Sequence, residues 1–230
     1  MTTCRLRKQE ILALLASPDW EDRMEEMLNC PAKGLLHGLF AALCNADQKV
    51  RWHGITMFGQ AVSRMAEHSR EDARVVMRRL MWSLNDESGG IGWGAPEAMG
   101  EIMACSEPLA REFHPILLSY LHEEESGEDN YLELAPLRRG AVWGVARLAQ
   151  VRPKLLQRPE SHEDLLRTLE DDDPSIRGLG AWAAGLLQIQ GAGPALHNLF
   201  QDDSSIVIYR DRTFVPVTVS ELARRAVERL

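Results

Sequence analysis

Small and apolar residues recur along this chain in one repeated frame. The clearest copy is Asp171 to Gly185, DDDPSIRGLGAWAAG. An acidic turn leads to Pro174, then to Ile176 and Arg177. Small residues follow at Gly180, Ala181, Ala183 and Ala184, and the segment closes at Gly185. This reads as a helix with one very small face, against which a neighbouring helix can approach closely. Asp173 is placed to accept from the free N–H groups as N-cap, and Pro174 suits the first helical position. The frame returns upstream, where Val50-Arg51 leads to Gly59, Gly92-Trp93-Gly94-Ala95-Pro96 to Gly100, and Arg138-Arg139-Gly140-Ala141 to Gly144. Successive closing glycines are 41, 44 and 41 residues apart, and a further step of 41 reaches Ala226. An apolar segment ending near Leu43, Leu84, Leu121 or Leu169 precedes each copy.

The pattern therefore predicts about five helical hairpins, each with an apolar first helix and a small-faced second helix. Residues 1–34 match the frame poorly and are expected to form one or two capping helices. Ser69-x-x-Asp72, Ser161-x-x-Asp164 and Thr218-x-x-Glu221 mark helix starts. Gly34, Gly127, Gly191 and Gly193 read as breaks between helices. Residues 206–219, IVIYRDRTFVPVTV, break the helical period. Their β-branched and aromatic runs flank Arg210-Asp211-Arg212 and predict a β-hairpin, with Pro216 restricting one strand to an edge. Two roles are open for it: an end-cap over the apolar terminus, or an edge strand offered to a partner.

The motif acidic-Pro-x-Val/Ile-Arg-x-x-Ala-Ala-x-Ala-Leu-Gly, matched closely at 171–185 and less closely at 47–59, resembles the HEAT-like repeat family in its phycobilin-lyase variant. The resemblance extends over about residues 35–230. The segment Gly90–Ile102, GIGWGAPEAMGEI, is also similar to an uncharacterised family of small bacterial HEAT-like proteins. These resemblances imply an all-α fold, a right-handed α–α superhelix; with the small C-terminal β-hairpin insertion read at 206–219, a single domain over 1–230 is expected. They imply no particular activity.

Composition narrows the function. The chain has 230 residues, 45% of them hydrophobic and 26% charged, which fits a packed globular protein and neither a coiled-coil rod nor a disordered chain. No apolar run approaches the ~20 residues of a membrane span, and no signal-peptide core follows Met1 to Glu10. A net charge of -8 argues against a nucleic-acid partner. Arg70, Arg74, Arg78 and Arg79, and the pair Arg138 and Arg139, read as solvated helix surface. The acidic stretch within 122–133 reads as a solvated loop able to recruit a basic partner. Cys4, Cys30, Cys44 and Cys105 form no CxxC pair, and Cys44 and Cys105 read as core residues. A reducing, cytoplasmic setting fits them.

In this frame the positions of the second helices not needed for packing line a concave groove. They are Trp52, His53, Thr56 and Gln60; Trp93, Gly94, Glu97 and Glu101; Leu137, Arg138, Ala141 and Val145; and Gly178, Leu179, Trp182 and Leu186. The candidate ligand-binding residues are Trp52, His53, Trp93, Glu97, Glu101, Arg138 and Trp182. Trp93-x-x-x-Glu97-x-x-x-Glu101 would put an indole and two carboxylates on one helical face, suited to a cationic group. The competing reading stacks Trp52 and Trp93 across adjacent repeats as core. No catalytic residue, metal site or cofactor is expected. Ser88–Gly92 lacks the lysine of a phosphate loop, and the His122-Glu123 and His162-Glu163 pairs lack a paired helical setting. The expected function is a non-enzymatic adaptor holding a protein or peptide partner in the groove, with no nucleic acid and no membrane. The alternative is a HEAT-like enzyme or a chromophore- or cofactor-handling, lyase-like protein.

Overall fold

The computed structural model describes residues 6–84, 92–124 and 130–230. Cys4, the 88–91 part of the glycine-rich turn, Gly127 and most of the acidic run lie outside the described residues. The chain forms two compact units, 1–110 and 111–230.

The N-terminal unit holds α1 (Lys8–Ala16), α2 (Trp20–Leu28), α3 (Ala32–Leu43), α4 (Gln48–His68), α5 (Arg70–Leu84) and α6 (Ala95–Cys105). Helix α4 packs on α3 on one side and on α6 on the other. Its start is fixed by Asp47, whose carboxylate accepts from the Lys49 N–H at 2.8 Å. Its small positions then set how closely the neighbours approach. A Cβ on Gly54 would lie 2.7 Å from the Ala42 Cβ, and one on Gly59 would lie 2.7 Å from the Glu101 Cγ. Leu35, Leu39, Ile55, Met57, Phe58, Met99 and Ile102 are buried between these helices.

Helix α7 (Glu107–Ser119) carries the division between the units. The C-terminal unit continues with α8 (Ala135–Val151), α9 (Pro159–Arg167), α10 (Pro174–Leu187), α11 (Gly193–Asn198), β1 (Ser205–Arg210), β2 (Thr213–Thr218) and α12 (Val219–Val227). The Asp173 carboxylate accepts from the Ser175 N–H at 2.7 Å, so the expected cap of α10 forms. Helix α10 packs against both α8 and α12. A Cβ on Gly185 would lie 2.7 Å from the Ala226 Cα. Two positions that the repeat places 41 residues apart therefore abut directly.

An arginine stitch recurs in this unit. Arg138 Nε donates to Asp171 Oδ2 at 2.9 Å, while its Nη1 donates to the carbonyls of Leu132 at 2.9 Å and Glu133 at 2.8 Å. One repeat later Arg177 Nε donates to Asp202 Oδ2 at 2.8 Å, with Nη1 on the carbonyls of Asp171 at 2.8 Å and Asp172 at 3.0 Å. Each guanidinium ties its own inter-helix turn to the aspartate of the next.

The β-hairpin forms where the period breaks, with Ser205 opposite Thr218 and Arg210 opposite Thr213. Asp211 and Arg212 make its turn at φ 51° and 61°, the pair of positive φ values that suits the right-handed twist of a two-residue hairpin. Ile206, Ile208, Tyr209 and Val217 are buried. Gly178 opens the start of α10 to the Ile206 side chain. Trp143 Nε1–H on α8 donates to the Tyr209 carbonyl at 2.8 Å. The hairpin thus lies against α8, α10 and α12.

Several local expectations are corrected. Gly34 is helical, within the first turn of α3. Ser161 lies inside α9, because Pro159 starts that helix earlier. Cys44 is exposed at the C-terminal end of α3, Cys105 is half-buried, and Cys30 is disulfide-bonded. The cysteines therefore give no argument for a reducing compartment. Among the described residues no helix is long and apolar enough to cross a membrane.

Candidate functional site

In the N-terminal unit the residues proposed for one surface separate. His53 is buried, and its ring stacks on Trp20 with centroids 3.9 Å apart and an interplanar angle of 9°. Its Nδ1 lies 2.7 Å from the Leu15 carbonyl, so Nδ1–H is the donor. Burial pushes the pKa of this imidazole below its ordinary value. His53 therefore pins α1 and α2 to α4 and is not a groove residue. Trp52 remains half-buried. Trp93 precedes α6, and Gly94 at the N-cap has φ 72°, a left-handed conformation that interrupts the helix. Trp93, Glu97 and Glu101 consequently do not share a helical face. Glu101 is only 6% exposed. It fills the space left by Gly59, and the Cys105 thiol points at its Oε1 from 3.7 Å. Gln60 in turn donates to the Cys105 sulfur at 3.5 Å. This carboxylate belongs to the α4–α6 contact, whereas Glu97 is half-buried in the first turn of α6.

Two further features of this unit escaped the repeat frame. Trp82 on α5 is 71% exposed. A cavity of about 430 Å³ is lined by Leu28, Pro31, Leu35, Ala61 and Met65, among others. The ions near its mouth are paired with each other, Lys33 with Asp72 at 2.9 Å and Arg64 with Glu25 at 2.9 Å.

In the C-terminal unit Arg138 is committed to the stitch described above, and its guanidinium also lies 5.3 Å from the Tyr131 ring centroid. It is a structural residue rather than a groove ligand. Close by, the buried carboxylate of Asp164 meets His122 Nδ1 at 3.0 Å and Arg167 at 3.6 Å. The hydrogen bond to Asp164 holds the His122 pKa above its ordinary value.

Trp182 leads to a different surface. It is 8% exposed and lines a small recess with Ala181, Gly185, Leu222, Ala226, Arg210, Arg225 and Arg229. The floor is where Gly185 and Ala226 meet. The segment that follows α12 is fastened by Gln188, which donates to the Arg229 carbonyl at 3.1 Å, and by Gln190, which donates to the Leu230 carbonyl at 2.9 Å. Arg210 approaches Asp211 at 3.4 Å, but that carboxylate is 83% exposed and binds it weakly. The exposed side chains of Arg225 and Arg229 have no hydrogen-bond or ion-pair partner among the described residues. Arg224 makes the contrast: it lies 4.6 Å over the Phe200 ring and donates to the Phe200 carbonyl at 3.0 Å. An aromatic wall beside planar cationic forks suits a carboxylate.

Of the seven sequence candidates, Trp182 alone lines this recess. The three arginines were missed, although Arg225 and Arg229 flank Ala226, the position that the 41-residue step had already found. Among the described residues no group of His, Cys, Asp or Glu is arranged to hold a metal ion.

The HEAT-like repeat family model matches residues 135–183, from α8 to most of α10. Solved structures resemble the whole chain at low identity. One is an engineered protein at 16% identity and TM-score 0.54, covering 96% of this chain and 95% of its own. Another is a computationally designed armadillo repeat protein for modular peptide recognition, at 16% identity and TM-score 0.52, covering 96% of this chain and 99% of its own. A designed armadillo repeat protein in complex with the peptide (KR)4 has 18% identity and TM-score 0.51, covering 96% and 98%. No curated protein matches the chain by sequence. Residues 135–183 are thus a HEAT-like repeat. The fold is that of the HEAT and armadillo repeat proteins, all-α with a small C-terminal hairpin.

Proposed function

We propose that this protein is a non-enzymatic adaptor that holds a protein or peptide segment on the second-helix face of its C-terminal unit. The observation that carries the reading is the recess at Trp182, which the exposed side chains of Arg225 and Arg229 line without a partner among the described residues. Three other arginines of the unit are matched to aspartates: Arg138 to Asp171, Arg139 to Asp173 and Arg177 to Asp202. The likeness to designed armadillo proteins, one made for modular peptide recognition and one bound to a peptide, supports the same reading. The test is recovery of a partner from native cells by the wild-type chain and by an Arg225→Ala/Arg229→Ala variant of equal melting temperature. Loss of one dominant partner from the variant is expected. Equal recovery by both chains would overturn the assignment.

The apolar cavity of about 430 Å³ in the N-terminal unit supports a second reading, a chromophore- or cofactor-handling protein. A coloured or apolar small molecule that co-purifies with the wild type, and is lost on Ala61→Phe, would favour it.

A further inference from the structure

We infer that the occupant of the Trp182 recess is an acidic peptide segment in extended conformation, with carboxylates on alternate residues pairing with Arg225 and Arg229. The inference rests on the adaptor reading and adds the chemistry of the partner.

Three observations carry it. The first is charge. The chain has a net charge of -8, yet Arg210, Arg225 and Arg229 converge on one recess. Arg225 and Arg229 carry like charge at and just past the end of α12, and neither side chain has a hydrogen-bond or ion-pair partner among the described residues. An incoming carboxylate relieves both. The second is residue type. Planar guanidinium forks grip a carboxylate through two parallel hydrogen bonds, which an ammonium cannot do. The third is spacing. Arg225 stands in the last turn of α12 and Arg229 in the turn that follows Val227, where its N–H donates to the Ala226 carbonyl at 3.0 Å; the two are about one turn apart along the chain, and residues i and i+2 of an extended strand are about 6.6 Å apart. An acidic residue at every second position therefore meets both arginines, and the Trp182 edge abuts the backbone between them. The peptide bound to the designed relative, (KR)4, carries the opposite charge and is excluded from this recess by repulsion.

The probe is a fluorescein-labelled (Glu-Ser)4 peptide, followed by anisotropy on the full chain near 0.1 M salt. Uncharged (Gln-Ser)4 and cationic (Lys-Arg)4 serve as controls. Wild type should bind (Glu-Ser)4 alone. Arg225→Ala/Arg229→Ala should weaken binding by about tenfold or more, and Arg225→Lys/Arg229→Lys should restore only part of it. Both positions are exposed, and an unchanged melting curve will show that each variant is folded. Equal binding of (Glu-Ser)4 by wild type and the alanine variant overturns the inference, as does no binding by wild type. Binding of (Gln-Ser)4 or (Lys-Arg)4 that the alanine variant loses overturns the charge assignment and leaves the adaptor reading standing. If no peptide binds and partner recovery ignores both arginines, the adaptor reading falls as well.

Discussion

The contacts α4–α6 and α10–α12 use the same glycine of the repeat in two ways. At Gly59 the missing side chain makes room for another side chain, that of Glu101, and the carboxylate is absorbed into the interface. At Gly185 it makes room for the backbone of Ala226 itself, so the helices touch and the flanking charges, Arg225 and Arg229, are turned out to the rim of a recess. One repeat rule thus buries its charge in one unit and presents it in the other. The surface chemistry of such a protein follows from which atom fills the glycine's space, and the glycine alone does not reveal it.

The largest expected effect breaks this comparison at its root. Gly185→Ala forces a Cβ onto the Ala226 backbone, which cannot swing away, and should cost about 2–3 kcal/mol. Gly59→Ala meets chiefly the Glu101 side chain, which can move, and should cost about 1 kcal/mol. Gly34 has no heavy atom within 4 Å of a Cβ built there, and Gly34→Ala should raise stability by about 0.5 kcal/mol. Urea midpoints in that order check the account; equal losses at Gly59 and Gly185 would break it.

Next in size are the polar ties. Arg138→Ala leaves the largely buried Asp171 carboxylate and two carbonyls without their donor and should cost about 2 kcal/mol. Trp143→Phe removes the donor to the Tyr209 carbonyl and should cost about 1 kcal/mol, loosening the hairpin first. Amide exchange on β1 and β2 reads that loosening.

The two units should also respond to pH with opposite sign. The His53 pKa is lowered by burial, so its neutral form is the one the fold accepts. That contribution is present above the unfolded value of 6.5 and is lost as pH falls below it. His122 is raised by Asp164, so its contribution is present below 6.5 and lost as pH rises through the higher folded value. His53→Phe should flatten the acid side of the stability profile, while His122→Gln should trim a smaller gain near pH 6, since His122 is 45% exposed. Denaturant midpoints between pH 5 and 8 test both signs. Smallest of all, Arg225→Ala/Arg229→Ala should change stability by no more than about 0.5 kcal/mol.

Much of the fold was legible because packing between repeated helices demands small residues at fixed intervals. That demand placed Gly59, Gly100, Gly144 and Gly185 and foretold Ala226. The hairpin was legible because β-branched runs around Asp211-Arg212 cannot keep a helical period. The site was less legible. Helical arithmetic put Trp93 and Glu97 on one face, but Gly94 leaves the helical conformation, a fact of backbone φ that the residue name permits without stating. Glu101 and His53 were counted as outward positions, yet each is covered by a partner distant in the chain: Glu101 by Gly59, and His53 by Trp20 and Leu15. Arg225 and Arg229 look like any surface arginines until Gln188 and Gln190 are seen holding the segment just past α12.

The central claim is that the binding chemistry lies in the C-terminal unit and not at the aromatic and acidic positions of the N-terminal unit. The most direct measurement compares partner recovery by two variants of equal melting temperature, Arg225→Ala/Arg229→Ala and Trp93→Ala/Glu97→Ala. The account predicts that the first loses the partner and the second retains it. Loss from the second with full recovery by the first would contradict it.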